Sequence, residues 1–461
     1  MHKIAILGAG KSGVGAALLA QDKGLQVFVS DANRIAAPHK KALIAHHIPF
    51  EEKQHTADKI LSADEVVKSP GIPDSTPIIQ AIQKKSIPII AEIELASRYT
   101  HAFLIGITGT NGKTTTAYLI THLLKVAGLN VAIAGNVGTS LSRRVLENKY
   151  DYYVLELSSF QLEGMYHCKM DIACLLNITP DHLDRYQGQM AAYIQAKFRV
   201  LQNMTTKTHF VYNQTDDNIK AYLQQHAILP RQHPVSIQQD HKDIGNFYSS
   251  LTNLRGEHNW FNALVAIKVA QLLSIDKTRI KRGLSTFTGV PHRIEWVANI
   301  GGISFYNDSK ATNVAATYAA LMSFAQPIIW IAGGKDKGND YTALQDLVRT
   351  HVKAMICLGK DNSRIQRAFQ QIVKPIYITT TMKEAVAIAL SLAQPEDVVL
   401  FSPACASFDL FKNFEERGDC FKQTVLQVKN TRIAIAHHPH ERNRLSNETI
   451  HQSVAEEQSK G

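Results

Sequence analysis

The chain has 461 residues, 45% of them hydrophobic and 20% charged, with a formal net charge of +10. That length predicts about three domains of ordinary size with ample core, and the composition is that of a globular protein, not a disordered or fibrous one. No apolar run reaches the roughly 18 residues of a membrane span, the start Met-His-Lys-Ile-Ala-Ile runs straight into a strand rather than a signal peptide, and the five cysteines form no C-x-x-C pair that would suggest a disulfide framework or zinc site.

A cytoplasmic protein is therefore expected. The basic balance invites a nucleic-acid partner, but the Lys and Arg residues are scattered and form no aromatic-interleaved stripe. A strongly anionic small substrate accounts for the charge equally well, so no nucleic acid and no membrane insertion are expected.

In chain order, residues 1–92 alternate between strand and helix patterns: strands over 4–7, 27–29 and 65–68, a helix from Gly13 and a helical stretch near 38–47. That alternation predicts a small doubly wound sheet. Gly8-Ala9-Gly10-Lys11-Ser12-Gly13 forms a G-x-G-x-x-G turn between the first strand and helix, and Asp31 ends the next strand 18 residues beyond Gly13. In such a turn glycines let the backbone approach a diphosphate and the acid takes a ribose hydroxyl. The pattern fits NAD and a UDP-sugar equally.

The segment 93–290 opens on an apolar run, Phe103-Leu104-Ile105, followed by Gly-Ile-Thr-Gly-Thr-Asn-Gly-Lys-Thr-Thr-Thr over 106–116 and a helical pattern over 117–126. A strand, a glycine-rich turn and Lys-Thr at a helix start make a phosphate cradle. Gly109, Thr110, Asn111 and Gly112 supply backbone, Lys113 reaches the outer phosphates, the Thr114 hydroxyl is placed for Mg²⁺, and Thr115 follows on the helix. The stricter pattern G-x-x-x-x-G-K-[ST] has Gly where this chain has Ile107. Strands are predicted over 152–157 and 172–177. Glu156 ends the first, where a lone carboxylate is costly unless paired or bound to a metal, so it is read as a Mg²⁺ ligand. The second runs into Asn-Ile-Thr-Pro-Asp-His-Leu-Asp-Arg-Tyr over 177–186, a Pro-broken turn crowded with ionisable groups that reads as an active-site loop. Lys197 follows on a predicted helix, where sequence alone favours an ordinary surface lysine with its stem along the protein. An amphipathic helix over 259–273 closes the segment.

A third α/β segment, 291–430, has strands predicted over 303–307, 328–332, 354–358 and 398–401. Polar bursts follow three of them: Asn307–Asn313, Gly333–Lys337 and Ser402–Asp409. Ligands bind where polar turns cluster at one end of an open α/β sheet. The alternative for each is a helix N-cap, by Asp308 or Ser309 in the first and Ser407 in the last. Residues 431–461 turn polar and lose periodicity, which predicts a flexible tail whose histidines are solvated.

Taken together, Gly109–Thr114, Glu156–Gln161, Asn177–Arg185, Pro291-His292-Arg293, Asn307–Asn313 and Ser402–Ser407 resemble the Mur ligases, in order over about residues 3–425. The resemblance implies an α/β protein of three domains: a Rossmann-like UDP-substrate-binding unit (1–92), a central P-loop ATPase domain (93–290) and a C-terminal dinucleotide-fold-like domain that binds the amino acid (291–430). It also implies an ATP-dependent amide ligase that adds D-glutamate to UDP-N-acetylmuramoyl-L-alanine through an acyl phosphate, in peptidoglycan precursor synthesis, working as a monomer.

Carried onto this sequence, the resemblance puts ATP on Gly109–Thr115, Asn262, Arg293 and Asp308, with Lys113 on the β- and γ-phosphates. It gives Mg²⁺ two sites: Thr114 and Glu156 at one, His182 and a carbamylated Lys197, its carbamate derived from CO₂, at the other. Lys113, Lys197, His182 and Asp308 become the catalytic set. Lys310, Thr312, Lys337, Ser407 and Phe414 would place D-glutamate; Asn136 and Ser158 would approach the muramoyl-alanine; and Lys11, Ser12, Asp31 and Gly71 would line the UDP site. Arg34 falls one position away from the family's uracil-side arginine. Rival readings are a related Mur-type or folate-type ligase with another acceptor, or an NAD-binding nucleotide sensor. The first diphosphate turn argues against a folate ligase, and the polar bursts at 308–312 and 402–407 argue against a sensor.

Overall fold

The structure, a computed structural model, describes residues 2–181, 183, 185–237, 247, 257–336 and 338–437. Its described strands form three sheets. In the first, β1 (Lys3–Leu7), β2 (Gln26–Asp31), β3 (Phe50–Glu52), β4 (Glu65–Lys68) and β5 (Ile89–Ile90) lie in the order β3-β2-β1-β4-β5. Every pairing is parallel. Ile4, Ala5, Ile6 and Leu7 are all buried because helices cover both faces, the normal condition of a parallel sheet.

The second sheet holds β6 (Phe103–Thr108), β7 (Val131–Gly135), β8 (Tyr152–Glu156), β9 (Ile172–Leu175), β10 (His209–Asn213) and β11 (Arg231–Val235). Their order is β11-β10-β9-β6-β8-β7, again all parallel. Since β6 sits between β8 and β9, with Ile107 in register with both Glu156 and Cys174, the loops leaving these three strands emerge side by side. Helices Lys113–Val126 and Glu257–Leu272 pack one face, where Ile105, Leu119, Leu123, Val265 and Val269 share a core.

These two sheets fall in one compact unit, which extends through residue 287, and a second unit starts at 288. The second unit carries β12 (Glu295–Ile300), β13 (Ile303–Asn307), β14 (Ile328–Gly333), β15 (Val352–Leu358), β16 (Ile376–Thr379) and β17 (Val398–Ala404), in the order β12-β13-β17-β14-β15-β16. Only β12 runs antiparallel, as a hairpin with β13. Trp330, Met355, Leu400 and Phe369 centre the core on one face.

Among the differences from the sequence expectation, three concern where a helix starts, how the second unit opens and how far the last helix runs. The first helix is Lys11–Asp22, starting two residues before Gly13, so Lys11 and Ser12 belong to its first turn. The unit after 288 opens on β12, a strand whose Glu, Trp and Asn obscure the apolar pattern of an edge strand. The last helix, Phe414–His437, passes through the residues assigned to the start of a tail. Thr431–His437 holds Ile and Ala among polar residues and no helix breaker; the first proline is Pro439. His438, His440 and His451 lie outside the described residues. Among the described residues no helix is long and apolar enough to cross a membrane.

Candidate active site

The loop between β6 and the helix Lys113–Val126 is built on two glycines that cannot be replaced cheaply. Gly109 has φ +148° and Gly112 φ +83°, and a Cβ on Gly112 would lie 2.5 Å from Asn262 Oδ1. That contact places Asn262, on the helix Glu257–Leu272, directly against the loop. Asn177, just past β9, holds the turn from the other side. Its Oδ1 accepts from the Thr110 and Asn111 N–H groups at 3.1 and 2.8 Å, and its Nδ2 donates to the Asn111 carbonyl at 3.1 Å. Lys113 Nζ donates to the Gly109 and Thr110 carbonyls at 2.9 and 2.7 Å. No side chain caps the helix that follows, so its first-turn N–H groups remain for an anion.

Lys197 corrects the surface reading. It lies in the helix Met190–Phe198 with only 1% of its surface exposed, and its Nζ donates to the Gly109 carbonyl at 2.7 Å. Two ammonium groups thus meet on one backbone oxygen. Burial, and next the Lys113 charge, push the Lys197 pKa down to about 7 against the opposing pull of Asp181. The Tyr193 ring sits 4.5 Å from Lys197 Nζ, and its hydroxyl is 3.2 Å from Thr110 Oγ1. The sequence places Asn177 and Asp181 in an active-site loop without individual roles and does not single out Tyr193; their contacts supply those roles.

Glu156 is 2% exposed at the end of β8. Its Oε1 accepts from Asn136 Nδ2 at 2.8 Å, while Oε2 has no partner. A buried carboxylate oxygen left unsatisfied beside a phosphate loop fits a divalent cation, and Thr114, also buried, stands in the helix's first turn. Among the described residues no three His, Cys, Asp or Glu side chains cluster as a metal site. Mg²⁺ commonly keeps water and phosphate oxygens around one or two protein ligands, so this pair fits such an ion. His182 lies outside the described residues. Ser158 also plays a structural part, capping the helix Ser159–Glu163 in a reciprocal capping box with Gln161.

In the first sheet, a cavity of about 840 Å³ is lined by Gly8, Gly10, Asp31 and Gly71 together with His55 and Ile78. Two smaller cavities, of about 390 and 380 Å³, contain none of the predicted site residues. Asp31 accepts from the Ala9 N–H at 2.7 Å and the Asn33 N–H at 2.8 Å, which ties the turns after β1 and β2 together. Arg185 reaches across from the 177–186 loop and donates to the Pro70 and Ile72 carbonyls at 2.7 and 3.2 Å. The turn needs Gly13 for closeness: a Cβ there would lie 1.8 Å from the Gly8 carbonyl oxygen. Gly13→Ala is expected to cost about 1–3 kcal/mol or more by overpacking. Thermal unfolding together with nucleotide titration checks it, and an unchanged melting temperature with intact affinity would refute the close-approach argument.

In the second unit the polar turns after β13, β14 and β17 lie at one end of three adjacent strands. Asp308 is 4% exposed; its carboxylate accepts from Ser402 Oγ at 2.8 Å and from the Ile294 N–H at 3.2 Å. Burial raises its pKa to about 7, partly offset by those hydrogen bonds and by Arg293 and Arg417. The N-cap alternatives fail. Asn313 caps the helix Val314–Leu321, and the helix after Ser407 starts only at Phe414. Lys310 Nζ lies 5.6 Å from the Phe414 ring centre, Ser407 is buried, and Thr312 and Arg293 are exposed. Arg417, which the sequence reading missed, is buried and donates to Ser309 Oγ, the Ser309 carbonyl and the Cys405 carbonyl. Lys337 lies outside the described residues.

Comparison with known proteins matches three family models in succession. They are a Mur ligase MurD-like N-terminal domain over residues 2–91, a Mur ligase middle domain over 107–270, and a Mur ligase glutamate ligase domain over 292–405. A relative from Bacteroides fragilis, UDP-N-acetylmuramoylalanine--D-glutamate ligase, is 48% identical over 93% of this chain and 100% of its own length. The protein of the same name from Cytophaga hutchinsonii is 44% identical over 93% of this chain and 99% of its own. Among solved structures, UDP-N-acetylmuramate-alanine ligase from Thermotoga maritima is similar in fold, with a TM-score of 0.54 and 17% identity over 93% of this chain and 100% of that one.

Proposed function

This chain belongs to the Mur ligase family, and on that premise we propose that it joins D-glutamate to UDP-N-acetylmuramoyl-L-alanine at the expense of ATP. The reaction serves peptidoglycan precursor synthesis in the cytoplasm. A free carboxylate is a poor acylating group; ATP supplies the phosphoryl group that converts it to an acyl phosphate, which the amino-acid amine then attacks with loss of phosphate. The observation that carries the reading is the loop at 109–113, where the Lys113 and Lys197 ammonium groups converge on the Gly109 carbonyl beside an uncapped helix start.

The roles proposed here are those the family resemblance implies, and the chemistry of each residue type suits its role. Gly109–Thr115 and Asn262 frame the nucleotide phosphates, and Lys113 neutralises charge as it accumulates on the transferred group. Thr114 and Glu156 hold Mg²⁺, the Glu156 Oε2 lone pairs being uncommitted. Lys197, as a carbamate, and His182 serve a second ion. Asn136 and Ser158 face the muramoyl-alanine, and Lys11, Ser12, Asp31 and Gly71 the UDP group. Arg293 and Asp308 serve ATP, while Lys310, Thr312, Lys337, Ser407 and Phe414 supply charge, hydroxyls and a ring face for a dicarboxylic amino acid. The division into 1–92, 93–290 and 291–430 follows these roles, and the enzyme works as a monomer.

The test is ADP release with UDP-N-acetylmuramoyl-L-alanine and a panel of amino acids. Turnover is expected with D-glutamate and not with L-glutamate or L-alanine; equal turnover with all three overturns the acceptor assignment. In the same assay Lys337→Ala is expected to raise the KM for D-glutamate far more than that for ATP, because only that substrate loses its partner.

A further inference from the structure

Ser30 is fully buried in β2, and its hydroxyl is shared between Glu51 of β3 and His55 of the segment that follows it. Ser30 Oγ lies 2.7 Å from Glu51 Oε1 and 2.6 Å from His55 Nδ1, with the Gln54 carbonyl farther off at 3.3 Å. A hydroxyl has one proton to give. Burial pulls the Glu51 carboxyl upward, but it also accepts from the Thr56 N–H and Thr56 Oγ1, and these bonds with that of Ser30 and the Lys59 charge hold it below the usual range, ionised at neutral pH. An ionised carboxylate only accepts, so the Ser30 proton goes to Glu51. The short contact on the other side then requires His55 Nδ1 to donate to Ser30. In the neutral ring this leaves Nε2 without a proton, as an acceptor.

His55 lines the same cavity as Gly8, Gly10 and Asp31. The strand order β3-β2-β1 sets out what a nucleotide meets along that cavity. The glycine turn and helix start after β1 suit the diphosphate, the acid ending β2 suits the ribose, and the segment after β3, which carries His55, comes next in line. That is the place of the base.

We propose that His55 selects the base of the nucleotide substrate, its Nε2 accepting a hydrogen bond from a ring N–H such as uracil presents at N3. The proposal rests on reading this cavity as the UDP site. Cytosine has a lone pair at N3 instead of a proton, so it would set two acceptors against each other. Ser30 and Glu51 are positioning residues: they touch no base and act by fixing which His55 nitrogen carries the proton.

Calorimetric titration of the full-length protein with UDP and with CDP tests this. The wild type is expected to favour UDP by about tenfold or more, the scale on which a buried polar mismatch is felt. His55→Phe is expected to lose that preference through weaker UDP binding with CDP little changed. His55→Gln, whose amide offers either a donor or an acceptor, should bind both with a ratio near one, and it guards against a folding defect in the Phe variant. Ser30→Ala keeps the imidazole but frees its tautomer, so the ratio should fall there too; a merely structural serine would weaken both ligands equally. A UDP preference that persists in both His55 variants overturns the proposal. A wild-type protein that binds no UDP overturns the reading of the cavity itself.

Discussion

Lys197→Ala is expected to lower ligase turnover by about 10²–10³-fold or more, the scale on which loss of an electrostatic stabiliser is felt, with little change in ATP affinity. An ordinary lysine is a cation at neutral pH and repels Mg²⁺. This one is buried against a second ammonium, and its pKa falls from 10.5 to about 7. Near neutral pH a large share is the free amine, the form the proposed carbamylation requires: in it the amine would attack CO₂, a C–N bond forming, one amine proton leaving to solvent, and an anionic carbamate resulting. The carbamate nitrogen keeps one N–H, so the bond to the Gly109 carbonyl can persist. Its oxygens would be able to hold a metal ion as a carboxylate does.

The sign of the pH effect follows from the lowered pKa. Between about pH 7 and 10.5 the folded chain binds fewer protons at Lys197 than the unfolded chain. This group therefore adds stability as pH rises through that window, and its burial cost is carried in full below about pH 7. Carbamate formation rises in the same direction. A ¹³C resonance from labelled CO₂ should grow as pH rises through about 7 and be absent in Lys197→Ala. Small carboxylates should restore part of that variant's turnover. A fully active Lys197→Ala enzyme with no such resonance in the wild type would return Lys197 to a packing role.

Much of this is legible in the sequence where local pattern carries the physics. The glycines at 8 and 13 and at 109 and 112 mark turns where a positive φ or a close approach favours glycine, and the apolar runs of β6, β8 and β17 announce strands buried on both faces. Glu156 stands out because a carboxylate closing such a run needs a reason. Lys197 does not: nothing in Gln-Ala-Lys-Phe-Arg distinguishes a buried amine from a surface one, and its state depends on Lys113, 84 positions away in the chain. Arg417 escapes for the same reason, and the sequence marks Asn177 and Arg185 only as members of a polar loop, since each acts through backbone groups brought near by folding. Strands such as β3 and β5, of three and two residues, are too short for any periodicity to show. The last helix runs past the residue where its sequence pattern fades, continuing the helix that buries Phe421 and Val425.

Lys113→Ala is expected to lower turnover by about 10²–10³-fold, the magnitude typical of removing one preorganised charge partner from a developing anion, and to raise the KM for ATP as well. Two losses combine. The charge facing the outer phosphates disappears, and so do the Nζ bonds to the Gly109 and Thr110 carbonyls that brace the loop. The variant should also act at a distance from its own chemistry. Lys113 is the main charged group depressing the Lys197 pKa, second only to burial. Without it the Lys197 ammonium is relieved of its cationic neighbour while Asp181 still favours it, so the Lys197 pKa must rise above about 7. The pH at which the carbamate resonance grows in should move upward with it. A midpoint that stays put would show that burial alone sets the amine. The double variant Lys113→Ala/Lys197→Ala should lose less than the product of the two single losses, because residues acting on one reacting centre do not contribute independently. Strict additivity would mean that the two ammonium groups meeting at Gly109 serve separate steps.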